Sequence, residues 1–304
     1  MRLLTAVSMI AVLAIGTATP AQSPEVEITA EQVAPGIAVL FGNGGNIGLA
    51  YGEDGTVMID DQFAPLTPKI QAAVAKLGAA PVKYLINTHW HGDHTGGNEN
   101  LGKAGAIIMA HDNVRIRLAT AQQRPGGKII SPTAKIALPV ITYHDGLSLH
   151  LNNDEVRTYF MPNGHTDGDS IVVWKTANVV HMGDLFFNKV TLPFIDLSSG
   201  GSAQGMLDAA EKVLVMTDAN TKFIPGHGPM ATRPDLIAYR DMLKSVIGSV
   251  AAGIKAKKTL AQIQATKPAA KWDTNPKGFI SGSVFVDTVY RSLTANAPTK
   301  KHHH

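Results

Sequence analysis

The sequence predicts an α/β (α+β) chain in which two β-sheets pack face to face with helices on the outside. Two strand-rich blocks, each giving way to helical patterns, carry this expectation. No Gly-Pro-rich linker or internal repeat divides them, so one domain is the simpler organisation. Several strand-like runs end in Gly-flanked loops bearing His or Asp, where a rigid sheet usually presents a catalytic site.

The elements follow in order. Residues 36–41, 47–51 and 56–59 read as strands, separated by Gly42-Asn43-Gly44-Gly45-Asn46 and by Glu53-Asp54-Gly55. The second separator is a hairpin signal, because Asp-Gly tolerates the positive φ angles of a tight turn. Helical spacing over 66–77 stops at Gly78, and 82–86 returns as a strand. A short helix is expected at 98–101, a strand at 106–109, and a helix over 113–122 capped by Asp112. The Gly- and Pro-rich stretch Arg124-Pro125-Gly126-Gly127-Lys128 opens a loop reaching Pro132. Strands are then predicted at 147–151, 156–161, 171–174, 179–182 and 222–224, with the turn Asn152-Asn153-Asp154 and a helix over 204–215 among them. Thr232 before Pro234 starts a helix running to 257, and two more cover 260–266 and 282–293.

Of the 304 residues, 44% are hydrophobic and 17% charged, which allows an ordinary buried core. The net charge is +3, and the densest basic cluster, Lys255-Ala256-Lys257-Lys258, reads as a solvated helix face rather than a nucleic-acid surface. The absence of cysteine excludes disulfides and thiolate metal ligands. At the N-terminus, Arg2, the apolar run 3–15 and the small residues up to Pro20-Ala21-Gln22 follow the order of a secretory signal. The run is too short to span a bilayer comfortably. The expectation is a signal peptide over 1–21, cleaved after Ala21 or else Ala18, and an exported, soluble domain over 22–300. Its compartment would be the periplasm of a Gram-negative source, or the medium. The expected partner is a small-molecule substrate, with no nucleic acid and, after cleavage, no membrane. His302-His303-His304 after Lys300-Lys301 looks like the remnant of a purification tag over 301–304.

Residues 89–94 read His-Trp-His-Gly-Asp-His, placing four potential ligands in six positions at a strand end. On an extended segment His89 and His91 point the same way and can share one metal. Gly92 permits a tight turn that lets Asp93 and His94 aim at a second. Imidazole with carboxylate suits a borderline metal such as zinc. Downstream, Gly164-His165-Thr166, Met182-Gly183-Asp184 and Pro225-Gly226-His227-Gly228 each follow a strand-like run.

His89-x-His91-x-Asp93-His94, followed by His165, Asp184 and His227, resembles the metallo-β-lactamase superfamily, and Met58-Ile59-Asp60 upstream resembles its first motif. The resemblance covers roughly residues 35–230. It implies an αββα four-layer sandwich with two zinc ions at one edge. His89, His91 and His165 would hold the first, Asp93, His94 and His227 the second, and Asp184 would bridge them. Asp60 would support the ligands from behind. Water bound there would ionise near pH ~7 instead of ~15.7, and the bridging hydroxide would attack a carbonyl polarised by one zinc. Asp93 would also act catalytically, orienting the nucleophile or carrying its proton.

Substrate identity turns on departures from the best-known relatives. The commonest di-zinc β-lactamases carry Cys at the position of Asp184 and Lys three residues later, where this chain has Phe187; the nearest lysine is Lys189. Asp184 instead resembles the bridging Asp of glyoxalase II and lactonases. His91, where diiron oxygen-reducing relatives have Glu, speaks against redox chemistry. The leading expectation is a binuclear zinc hydrolase accepting β-lactams. The alternatives are an esterase, thioesterase or lactonase without antibiotic role, and a metal-binding protein without catalysis.

Other residues have plainer readings. His111, His144, His150 and His181 suit core or surface roles. Asp61 competes with Asp60 for the supporting position. Trp90 suits packing, Phe186 and Phe187 suit either pocket or core, and Asp167 and Asp169 suit loop hydrogen bonding. Gly200-Gly201-Ser202 resembles a site loop followed by a helix cap.

Overall fold

A computed structural model describes residues 25–123, 127–275 and 277–295. The signal-like segment, Arg124-Pro125-Gly126 of the 124–132 loop and the terminal histidines lie outside the described residues. β1 (Thr29–Ala34), β2 (Ile37–Phe41), β3 (Ile47–Gly52) and β4 (Gly55–Ile59) form an antiparallel run. The Asp54-Gly55 turn closes its last hairpin, with Gly55 at φ 117°. α1 (Thr67–Lys76) crosses to β5 (Val82–Asn87), and α2 (Gly92–Thr95) with α3 (Asn98–Lys103) leads to β6 (Ile107–His111). After α4 (Asp112–Ala119) come a small ribbon, β7 (Gln122–Gln123) with β8 (Ile129–Ile130), and β9 (Ile141–Tyr143). The first sheet has the order β1-β2-β3-β4-β5-β6-β9, with β4, β5, β6 and β9 parallel.

The second sheet begins with β10 (Ser148–Leu151), β11 (Asp154–Phe160), β12 (Ser170–Trp174) and β13 (Val179–His181). α5 (Ala203–Met216) then crosses to β14 (Lys222–Ile224), which runs parallel to β13 and is followed by β15 (Ala231–Thr232). α6 (Arg233–Lys255), α7 (Leu260–Ala265) and α8 (Gly282–Ala295) complete the described chain. Thr232 and Asp235 form a capping box at the start of α6, with Pro234 in its first turn.

Strand alternation sorts side chains into layers. Val57, Ile59, Ile86 and Met109 of the first sheet meet Val172, Trp174, Val179 and Ile224 of the second. Their neighbours Met58, Leu85 and Ile108 face the other way, against Ile70, Val74 and Leu101 of the helices on that side. Ile171, Val180 and Phe223 likewise pack on α5, α6 and α8 through Met206, Val213, Leu243 and Phe285. Both faces of the central strands are covered, so β4, β12 and β13 read as nearly continuous apolar runs, whereas β1, β10 and β11 keep exposed polar side chains. The result is the αββα sandwich.

Three details depart from the sequence reading. α4 is capped by His111, whose Nδ1 accepts from the Asn113 N–H, while Asp112 falls inside the first turn. That helix ends at Ala119 rather than 122, because Gln122-Gln123 pair with Ile129-Ile130. β1 went unread because an edge strand with most residues exposed shows no alternation.

Asn46 joins the sheets beside the strand ends. Its Nδ2 donates to Pro225 O at 2.9 Å and Gly228 O at 2.8 Å, and its N–H to Gly226 O at 2.7 Å. Its own carbonyl accepts from His181 Nε2 at 2.9 Å. Asn46→Ala strips one buried and one half-buried carbonyl of their donor and is expected to destabilise the protein by about 2–3 kcal/mol. Urea unfolding monitored by circular dichroism measures this; a midpoint equal to wild type would show that Asn46 is not a clamp.

Candidate metal centre

The motif loops leave the C-terminal ends of β4, β5, β11, β13 and β14, which open at one edge of the sandwich. β5 delivers Thr88 and His89, and His91 stays extended (φ −66°, ψ 149°) before α2 begins at Gly92. His165 lies between β11 and β12, Asp184 in a 3-10 turn after β13, and His227 just after β14. Glycine is required where these loops meet. Gly183 has φ 50°, and a Cβ there would stand 2.6 Å from Thr88 Oγ1. A Cβ on Gly226 would stand 2.1 Å from Asp184 Oδ1, and one on Gly45 2.0 Å from the His94 ring.

All seven predicted ligands converge. His89, His91, His165 and Asp184 form one group, and Asp93, His94 and His227 another; within each group one donor atom per residue lies within 4.8 Å of the others. Asp184 faces both. Its Oδ2 is 3.5 Å from His165 Nε2 and 3.9 Å from His89 Nε2, while its Oδ1 is 3.0 Å from His94 Nε2 and 3.3 Å from His227 Nε2. Asp93 Oδ2 is 3.3 Å from His227 Nε2 and 3.6 Å from His94 Nε2. A third grouping, Asp60 with His89 and His94, is the support behind the cluster.

Neighbouring acceptors fix the imidazole tautomers. His94 Nδ1 donates to Asp60 Oδ2 at 2.7 Å, leaving Nε2 for the cluster. Thr88 Oγ1 also donates to Asp60 Oδ2, at 2.7 Å, and so accepts from His89 Nδ1 at 3.0 Å. His89 therefore turns a bare Nε2 inward. His165 Nδ1 donates to Phe194 O at 2.7 Å, and His91 Nε2 to Asp196 Oδ2 at 2.9 Å. Such hydrogen bonds orient metal-ligating histidines and raise their basicity.

Charge is distributed accordingly. Burial opposes ionisation of Asp93, but His94 and His227 outweigh it and bring its pKa to about 2. Burial likewise opposes charge on His227, yet Asp184 and Asp93 raise its pKa to about 9. The same contest raises His94 well above its usual range, through Asp184, Asp93 and Asp60. His89 and His165 are held down by burial, and Asp184 is held well below the usual range, because His227 and His94 overcome its burial. Protons thus gather where cations would. His89 Nε2 is buried without a hydrogen-bond partner, and so many inward-facing nitrogen and oxygen atoms fit metal ions of the zinc type.

The remaining candidates sort by contact. Asp60 is fully buried and also accepts from the Thr88 N–H at 2.7 Å, whereas Asp61 Oδ1 accepts from the Gly97 N–H at 2.8 Å. His181 is buried at the sheet junction, and His144 is exposed at the surface. Trp90 packs with Val114 and Leu118 of α4. Arg117 forms two 2.6 Å bonds to Asp167, and Asp169 holds Thr166, so both acids brace the His165 loop. Phe186 packs on Tyr239 in the core, while Phe187 stacks on His227 with ring centroids 5.4 Å apart and planes at 10°. Gly201 passes under His165 O, and Ser202 caps α5 by accepting from the Gly205 N–H at 2.9 Å. Asp196, Thr88, Asn46 and Phe194 were not anticipated. Asp196-Leu197-Ser198-Ser199 has the look of a side-chain-capped turn, but nothing local points to a histidine 105 positions away.

This geometry has a family. Residues 40–227 match the Metallo-beta-lactamase superfamily, and the chain belongs to it. Among individual proteins, it is 25% identical over 219 residues to a hydroxyacylglutathione hydrolase of Anaeromyxobacter dehalogenans (strain 2CP-C), covering 69% of this chain and 76% of that one. It is 26% identical over 149 residues to a metallo-beta-lactamase type 2 of Bacteroides fragilis, covering 49% of this chain and 54% of that one. Two solved structures share the fold. They are the DIM-1 metallo-beta-lactamase (TM-score 0.59, 16% identity) and a metallo-beta-lactamase from Pontibacter korlensis (TM-score 0.59, 17% identity), each spanning 72% of this chain and 99% of its own.

Two outcomes are expected. Asp196→Ala frees the His91 ring and should weaken zinc binding 10–100-fold, measured by competition with a chromophoric chelator; an unchanged affinity would contradict that role. Because His227 keeps its proton up to about pH 9 in the metal-free cluster, zinc uptake below that pH should expel protons, and apparent affinity should rise with pH. Titration calorimetry in buffers of different ionisation enthalpy reads the proton count; zero release at pH 7 would remove His227 from the ligand set.

Proposed function

We propose that the chain is a binuclear zinc hydrolase of acyl compounds. His89, His91 and His165 would hold one ion and Asp93, His94 and His227 the other, with Asp184 between the two groups. The observation that carries this is the division of the Asp184 carboxylate, one oxygen toward each histidine group. When bound, the two ions supply water activated at neutral pH and polarisation of a carbonyl. The chain's own residues do the rest. Asp60, Thr88, Asp196 and Phe194 O hold the imidazoles in the binding tautomer. Asp93, 28% exposed and ionised, sits at the open side, where Oδ2 can orient a water and take up its proton. In the overall reaction, the water oxygen joins the carbonyl carbon, the bond from that carbon to N, O or S breaks, and the proton passes to the departing atom.

The site favours esters, thioesters and lactones over β-lactams, which are turned over more slowly. Phe187 occupies the position where a carboxylate-binding lysine would serve a β-lactam, and it is packed on His227. Lys189 instead pairs with Asp235 of α6 at 2.7 Å. The longer match to the hydroxyacylglutathione hydrolase supports the same order. The N-terminal pattern supports action outside the cytoplasm, and among the described residues no helix is long and apolar enough to cross a membrane.

The deciding experiment is a panel of thioester, lactone, aryl ester and chromogenic cephalosporin, run on zinc-loaded protein with and without a chelator. Chelation should abolish all turnover, and the cephalosporin should be the slowest. Asp184→Asn should lower both the zinc content from two per chain and the rate, the latter by about 100-fold or more. A protein holding two zinc ions yet inert to every acyl substrate would overturn the reading.

A further inference from the structure

The open side of the cluster is bordered by an aromatic wall. Asp93 and His227 are 28% and 20% exposed, whereas His91 and Asp184 are each 5% exposed, so a substrate must approach over the first pair. Phe187 backs His227. On the other group, the Phe194 ring lies 5.9 Å from His91 and 5.5 Å from His165. Phe279, in the stretch between α7 and α8, connects the two: its centroid is 6.4 Å from Phe187 and 6.4 Å from Phe194, edge-on to both. It is nevertheless 62% exposed.

Its position is built rather than incidental. Ile280 is buried next to it, with its N–H donating to Thr191 Oγ1 at 3.0 Å. Asn275 Nδ2 donates to Val190 O at 2.6 Å. The C-terminal stretch is thus fastened to the loop that follows Asp184, and Phe279 is carried to the site from outside the 40–227 family match. A single exposed phenylalanine is ordinary. One held against two rings that each touch candidate metal ligands offers an apolar face to whatever binds beside them.

We propose that Phe279 and the half-buried Phe194, backed by the buried Phe187, receive an apolar substituent on the acyl side of the substrate, so that the chain selects aryl- or alkyl-substituted acyl compounds over acetyl or charged ones. The inference rests on the hydrolase reading above. With the carbonyl at the ligand cluster, both its acyl substituent and its leaving group come within reach of these rings, and a constant thiol in the comparison below isolates the acyl substituent. Burying one such group typically discriminates 10–200-fold.

The test compares Phe279→Ala with wild type in two ways. Calorimetry on zinc-loaded protein compares phenylacetate with acetate, both standing in for the carboxylate product. Steady-state kinetics compares phenylacetyl with acetyl thioesters of one thiol. Wild type should prefer the phenyl compound about tenfold or more in both, and Phe279→Ala should cut that preference to within about twofold. Val215→Ala, an 87% exposed site on α5, controls for loss of any surface apolar group and should leave the preference intact. A wild-type preference unchanged in Phe279→Ala, or absent in wild type, overturns the proposal while leaving the hydrolase reading standing. Binding selectivity without turnover of any thioester, ester or lactone would instead support the wall and overturn the hydrolase reading.

Discussion

A carboxylate buried between two groups of imidazoles is the constraint around which this fold is arranged. Burying an ionised group is expensive unless it is paired. Asp184 meets the condition only because four histidines from three other loops reach within 4 Å of its oxygens. The left-handed turn at Gly183, the bare Cα of Gly226 and the close pass of Gly45 over His94 follow from the same crowding. So does the Asn46 clamp, which draws the β2–β3 turn of one sheet onto the His227 loop of the other.

Around that centre, a ring of hydrogen bonds decides which nitrogen each histidine turns inward. Asp60 governs His94 directly and His89 through the Thr88 hydroxyl. Asp196 governs His91, and the Phe194 carbonyl governs His165. These partners sit on the rigid sheet ends or on turns with their own caps, such as the Asp196 turn closed by Ser198 and Ser199. The orientation of the candidate ligands therefore depends on residues that do not themselves face the centre of the cluster. Phe194 does two jobs: its carbonyl sets a tautomer, and its ring begins the apolar border that Phe279 extends.

Much of this could be read in the chain. The strands of both sheets were visible because residues 56–59, 82–86 and 171–174 are dense in β-formers between clear turn signals. The ligands were visible because catalytic loops concentrate rare side chains among glycines: His89 to His94, then His165, Asp184 and His227. Edge strands β1 and β9 were not visible, since half-exposed edges carry little periodicity. The choice of Asp60 over Asp61 rested on motif resemblance alone, because adjacent carboxylates differ only in where the backbone points them, here through φ 61° at Asp60.

The sequence by itself determined the two-sheet layer architecture, the seven candidate ligand side chains and the absence of thiolate chemistry, because hydrophobic period and residue type are local properties of a chain. Only the tertiary structure decided that Asp184 divides its oxygens between the two histidine groups, that Asp196 fixes His91 and that Phe279 joins the rim. Those are contacts between residues tens to more than a hundred positions apart. They come from how the two sheets and the C-terminal stretch dock, and such docking leaves no mark on the short-range pattern of the residues it brings together.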